Sequence, residues 1–256
     1  MESMQQQEQI LFAILDAGEL LLTAGAEVAR VEDTIRRMAH AYGFVRTDVL
    51  TITASMVVTA QTAEGDVFTQ TRRILRRETD MRRIEAVNAL SRTVCQNALP
   101  LDALRMRIEQ IRSMPDGAKW RLPVAYLLIA SSFAVFFGGS WRDGIAAMLC
   151  SMVLYAVGRI GARISLQPIV LTVISAAVMC LAALVTVKVG LGQGLDYIII
   201  GNIMLLIPGI ALVTSLRDMI VGDTISGLLG ACEALLRAIA IAAGCALVLM
   251  QFGGAI

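Results

Sequence analysis

The sequence predicts a multi-pass α-helical membrane protein of about five transmembrane helices, preceded by a small α+β cytosolic domain. Three observations predict this. The 256 residues are 57% hydrophobic with a mean hydropathy of +0.70, whereas soluble domains are about 45–50% apolar. The charge is divided along the chain. Residues 1–117 hold 14 of the 22 Lys and Arg and 16 of the 21 Asp and Glu, a net of −2, and residues 118–256 carry a net of +3. Within the charged half the apolar period passes from helical to twofold and back, and the second half is a series of long apolar runs.

The first expected element is a helix over about residues 7–24, with Leu11, Ile14, Leu15, Gly18 and Leu22 on one face and Gly25 interrupting it. A second, over about 26–42, sets Val28, Val31, Ile35, Met38 and Tyr42 opposite Arg30, Asp33, Arg36 and Arg37, with Gly43 as its C-cap. Leu50, Ile52, Ala54, Met56, Val58 and Ala60 then alternate with Thr51, Thr53, Ser55, Val57 and Thr59. Period two predicts strand, as two strands or one long bent one, with the first set on one face and the hydroxyls on the other. A turn at 63–66 leads to a further strand over 67–73. Asp80 opens a helix with Ile84, Val87, Leu90 and Val94 inward, and Leu101, Leu104, Ile108 and Ile111 mark the last one. Helices flanking strands in this order predict an α+β domain over 1–117.

Pro115-Asp116-Gly117 reads as the linker to a transmembrane domain over 118–256, with Lys119, Trp120 and Arg121 as an interfacial anchor. Spans are expected at about 122–140, 143–161, 167–187, 196–216 and 226–252, each close to the roughly 20 residues needed to cross about 30 Å of hydrocarbon. With the first domain inside, Lys119, Arg121, Arg159, Arg163 and Arg217 fall on the cytoplasmic side, and Arg142 and Lys188 fall outside. That agrees with the positive-inside rule and with the absence of a basic, cleavable leader in MESMQQQEQ, and it puts the C-terminus outside. Small residues are dense in these runs, as in Ala130-Ser131-Ser132 and Gly138-Gly139. They predict close helix packing within the chain or against a partner.

The segment 205–230, LLIPGIALVTSLRDMIVGDTISGLLG, differs from a plain anchor. Asn202 precedes it in an apolar run. Pro208-Gly209 breaks the run, Arg217, Asp218 and Asp223 follow among Gly222 and Gly227, and Glu233 and Arg237 lie four apart on the next helix. Helix breakers and ionisable residues at membrane depth mark substrate or ion pathways. On this reading Arg217 or Arg237 attracts an anionic substrate and Asp223 or Glu233 couples to protons. The plainer reading is an interfacial loop and a local ion pair. In the first domain, Gly25, Glu27, Arg30 and Glu32 of GAEVARVED sit near a helix start, where acids are favoured by the dipole. Capping and surface pairing explain them equally well. Ser55 and its hydroxyl neighbours either line a polar ligand site or face solvent. Arg72, Arg73, Arg76, Arg77, Arg82 and Arg83 form a basic run that either meets anionic lipid or is salt-bridged.

Other classes are disfavoured. A net charge of +1 gives no footprint for nucleic acid. Five scattered cysteines and one histidine give no zinc or disulfide pattern. No nucleophile–base arrangement, P-loop or dinucleotide fingerprint is present, so neither a catalytic site nor a cofactor is expected. The alternative that stays open is a membrane-anchored metabolite sensor.

GAEVARVED, the hydroxyl-rich strand leading to TQTRRI, and LIPGIALVTSLRDMIVGDTISGL together resemble the threonine/serine exporter family over nearly the whole chain. The resemblance implies a cytosolic domain followed by membrane spans, and efflux of small hydroxy amino acids or C4-dicarboxylates such as succinate across the bacterial inner membrane. It is nearest to the larger subunit of the split form, which implies a second small membrane subunit, with or without homo-oligomer formation. The family motif falls here on Gly25, Glu27, Glu32, Pro208, Gly209, Arg217, Asp218, Gly222, Asp223 and Gly227.

Overall fold

A computed structural model describes residues 2–52, 54–75, 78–115, 117, 118 and 120–252. Thr53, Arg76, Arg77, Asp116 and Lys119, named above as candidates for the polar strand face, the basic run, the linker and the interfacial anchor, lie outside the described residues. The chain forms two compact units: Met1–Pro115 with Ile210–Ala231, and Asp116–Gly209 with Cys232–Ile256.

In the first unit, helices α1 (Glu2–Thr23) and α2 (Val28–Ala41) precede strands β1 (Arg46–Ile52), β2 (Ser55–Gln61) and β3 (Val67–Arg73), then helices α3 (Met81–Gln96) and α4 (Leu101–Arg112). The strands form an antiparallel sheet in the order β1-β2-β3. Helix α1 is its centre. Besides the expected stripe, Ile10, Ala13, Ala17, Leu20 and Leu21 are buried, because α2, α3, α4 and β3 all pack around it. Gly18 sits where α1 meets α2; a Cβ there would come within 2.7 Å of Ile35 Cδ1. On α2 the Val28, Val31, Ile35 and Met38 stripe is buried. The Asp80 carboxylate caps α3, accepting from the N–H groups of Arg82 and Arg83.

The faces of β1 differ from the sequence expectation. Leu50, assigned inward, is 67% exposed, and Thr51, assigned outward, is 3% exposed. The reason is register. Ile52 pairs with Ser55 and Thr51 with Met56, so odd residues of β1 share a face with even residues of β2. A single parity carried through from residue 50 to residue 60 misses that switch. On β2 the expected inward residues Met56, Val58 and Ala60 are buried. The outer face carries Ser55, Thr59, Thr69 and Thr71, with Thr59 and Thr69 hydroxyls bonded at 2.9 Å.

The second unit holds α5 (Arg121–Phe136), α6 (Trp141–Arg163), α7 (Pro168–Lys188), α8 (Leu195–Ile203) and the larger part of α10 (Thr224–Phe252). Its core is built from small side chains: Ala130, Ala134, Ala146, Ala147, Cys150, Ala176 and Ala183. A Cβ on Gly201 would reach within 2.5 Å of the Ala130 carbonyl oxygen. Backbones this close require small residues at the crossing. The outward surface is apolar, with Leu128, Phe136, Val185, Ile239 and Leu247 all largely exposed, as lipid-facing helices require. Helices α6, α7 and α10 are long and apolar enough to cross a membrane, and α5 is a shorter apolar helix of 16 residues.

The expected fourth span over 196–216 is not a continuous helix. α8 stops at Ile203, and α9 (Gly209–Val221) begins after Pro208. A proline excludes the helical hydrogen bond to the residue four before it and crowds that residue's carbonyl. For Pro208 that residue is Met204, the first after α8. At 1.5 Å per residue neither piece spans about 30 Å alone. Gly209 has open space at its Cβ position, so the break belongs to Pro208.

Candidate functional site

The site lies in the first unit and is assembled from three helices. α1 ends in a Schellman turn: Gly25 N–H bonds the Leu22 carbonyl, Ala26 N–H bonds the Leu21 carbonyl, and Gly25 takes φ +83°. A side chain at Gly25 would also crowd the Glu78 carbonyl. This turn sets Glu27 at the N-cap of α2, with extended backbone and no side-chain capping bond. Its carboxylate therefore points elsewhere. It accepts from Arg217 Nη1 of α9 at 2.7 Å. Glu27 is 18% and Arg217 58% exposed.

Around this pair is a pocket of about 590 Å³. α2 contributes Arg30, Asp33, Thr34 and Arg37, α3 contributes Asn88, Ser91, Arg92 and Cys95, and α9 adds Asp218 and Val221. Asp33 pairs with Arg37 at 2.9 Å. Asp218 is 3% exposed, and it too is engaged. Among the described residues, Arg30 and Arg92 make no ion pair. The pocket thus holds three committed carboxylates and two uncommitted guanidinium groups, a setting that attracts small anions.

The neighbouring turn shapes α9 against α10. Gly222 ends α9 with φ +110°, its N–H bonding the Met219 carbonyl and Asp223 N–H bonding the Asp218 carbonyl. The Asp223 carbonyl accepts from Gly227 N–H, and Thr224 is the first residue of α10. Asp223 therefore occupies the capping position. A Cβ on Gly227 would lie 2.5 Å from the Ser215 carbonyl oxygen, so this glycine permits the close approach of α10 to α9.

The remaining candidates are elsewhere. Glu32 accepts from Thr51 N–H at 2.9 Å and from Arg36 at 2.7 Å, closing the outer edge of β1. Arg72 bonds Asp16 at 3.2 Å and lies 5.2 Å over the Phe12 ring, fastening β3 to α1. Ser55 faces the open side of the sheet opposite Arg73. Of the basic run, Arg82 and Arg83 pair with Asp80. In the second unit Asn202 is fully buried and donates to the Ala147 and Ile198 carbonyls. Glu233 and Arg237 pair at 2.7 Å on α10.

One residue was not singled out from the sequence. Asp143, 2% exposed, accepts four hydrogen bonds: from Ser140 N–H and Oγ–H, and from the N–H groups of Gln193 and Gly194. It joins the start of α6 to the loop entering α8. The local signal was Ser140-x-x-Asp143, a capping box. Among the described residues no cluster of His, Cys, Asp or Glu is arranged to hold a metal ion.

Apolar helices long enough to cross a bilayer, beside a small α+β unit that carries a charged pocket, define a helical membrane protein. The chain belongs to the "Putative threonine/serine exporter" family, whose model matches residues 13–252. It is similar to the "Probable threonine/serine exporter" of Mycobacterium tuberculosis (strain ATCC 25618 / H37Rv), 24% identical over 92% of this chain and 45% of that protein. It is likewise similar to the "Threonine/serine exporter" of Corynebacterium glutamicum, 24% identical over 89% of this chain and 48% of that protein. A third relative is the "Probable succinate transporter subunit YjjP" of Escherichia coli (strain K12), 22% identical over 97% of each chain. The chain spans about half the length of the first two relatives. No solved structure matches it.

Proposed function

We propose that this chain is a subunit of a secondary exporter of small metabolites in the bacterial inner membrane. Its cargo is succinate or a related C4-dicarboxylate, or else threonine and serine. It acts with a second small membrane subunit, for which the end-to-end likeness to a succinate transporter subunit speaks. Residues 1–117 are cytoplasmic, five segments enter the membrane, with α8 and α9 as the two arms of a broken fourth, and the C-terminus is periplasmic.

The observation that carries the reading is the Glu27–Arg217 pair. The two motifs that the sequence sets 190 residues apart meet at one charged pocket, which an anchor would not need. Cargo would be captured there by Arg217 and its neighbours. Asp223 and Glu233 are the groups proposed to couple to protons.

Efflux from cells lacking the native protein tests this. The chain is expressed alone and with the small membrane subunit, and internal and external succinate, threonine and serine are followed over time. Efflux of one cargo with both subunits is the expected result. No efflux of any of the three, with both proteins present in the membrane, would overturn the exporter reading. It would favour a membrane-anchored sensor, for which the location of the pocket in the first unit is the supporting observation.

A further inference from the structure

We infer that the pocket between α2, α3 and α9 is a binding site for a small organic dianion, and that the dianion competes with Glu27 for Arg217. The identification of the dianion as cargo rests on the exporter reading; the site itself does not.

Charge selects the ligand. Four arginines and three carboxylates line the pocket. Glu27 is held by Arg217 and Asp33 by Arg37, and Asp218 is not free either. The charges left uncommitted among the described residues are Arg30 and Arg92, both cationic and both exposed. A zwitterionic amino acid needs an anchor of each sign and finds only one sign available. A dicarboxylate presents a carboxylate for each uncommitted guanidinium, and guanidinium–carboxylate contacts are strong and directional. Ser91, Thr34 and Asn88 supply further polar contacts at the wall.

Arg217 adds a third cation once released. Its contact with Glu27 is a single ion pair with Arg217 more than half exposed, and exposed pairs are weak. An incoming carboxylate can therefore replace Glu27 at low cost. This leads to an unusual expectation: removing the acid from the pocket should strengthen anion binding.

Cys95 lines the pocket and is exposed, whereas Cys150, Cys180 and Cys245 are buried. Replacing the other exposed thiol, Cys232→Ala, makes Cys95 the reporter. The full chain is purified in detergent and labelled with N-ethylmaleimide, with succinate, serine or potassium chloride of matched ionic strength added. Succinate is expected to slow Cys95 labelling saturably, and serine and chloride are expected not to. Arg30→Gln with Arg92→Gln should abolish the effect while the three buried thiols stay unlabelled, which reports an intact fold. Glu27→Gln should lower the half-maximal succinate concentration by up to about fivefold, the factor equivalent to an exposed pair of about 1 kcal/mol. Unchanged labelling in succinate, or slowing that survives the double arginine substitution, would overturn the site. Equal slowing by serine would overturn the charge selection. Protection without succinate efflux in cells would leave the site standing and count against the exporter reading. Efflux without protection would count against the site alone.

Discussion

Replacing Asp143 by Asn should destabilise the second unit by about 3 kcal/mol. The carboxylate is 2% exposed, with one oxygen accepting from Ser140 N–H and Oγ–H, both at 2.7 Å. The other accepts from Gln193 N–H at 2.6 Å and Gly194 N–H at 2.8 Å. An amide keeps one acceptor oxygen and turns an NH2 group toward the other pair of donors. Ser140 can rotate its hydroxyl to accept, but backbone N–H groups cannot, so the amide should point its NH2 at Ser140. One backbone donor is then left without an acceptor, at about 1–3 kcal/mol, and the surviving bonds lose their charge assistance. Alanine removes all four bonds and should cost more. The buried thiols of Cys150, Cys180 and Cys245 provide the assay, since a thiol-reactive dye reports their exposure on heating. At about 2–4 °C per kcal/mol, the Asn variant should melt roughly 6–12 °C below the parent, with Ala lower still. An unchanged melting temperature for Asn, or Asn melting below Ala, would refute the four-bond account.

Three other outcomes follow from the geometry. Arg217→Glu should reduce efflux, and adding Glu27→Arg should recover part of the loss, with a coupling of at most about 1 kcal/mol for so exposed a pair; no recovery in the double swap would show that the two residues act separately. Gly227→Leu should push α10 off Ser215 and α9, at about 1–3 kcal/mol or more, and should lower the yield of folded, detergent-extracted protein well below that of a Leu at Gly158, where the space is open. Burial raises the Tyr42 hydroxyl above its ordinary value of 10.0, and the hydroxyl donates to the Leu99 carbonyl. The stability this provides is complete below that value and declines as pH rises through the higher folded value. Tyr42→Phe should flatten the alkaline loss of stability seen in thermal melts while costing about 1 kcal/mol at neutral pH.

Much of this was legible along the chain. Amphipathic period alone placed the buried stripes of α2, α3 and α4, because each of these helices buries one face and period records one face. Total hydrophobicity marked the apolar segments for the same kind of reason: lipid, like a protein core, selects by transfer energy. The glycine that ends α1 was recognisable as punctuation, since a left-handed residue at a helix end favours glycine. Pro208 announced the break after α8 through its missing N–H. α1 was only half legible. A helix buried on several sides has little periodicity, so one stripe was visible and the rest of its surface was not.

What the tertiary structure decided is which residues meet. The odd-to-even switch between β1 and β2 depends on a pairing register, which reverses the exposure of Leu50 and Thr51 without altering any local propensity. Glu27, Arg30 and Glu32 lie close together in the sequence, yet Glu27 and Arg30 face the pocket while Glu32 turns to the edge of β1, because the N-cap residue is extended and residues two apart on α2 point in different directions. Arg217 stands among apolar neighbours in the sequence. Its partner is Glu27, in the first unit. Residue types and periods are local properties and are written in the sequence; an ion pair across 190 residues exists only once packing has fixed where each helix begins, ends and turns.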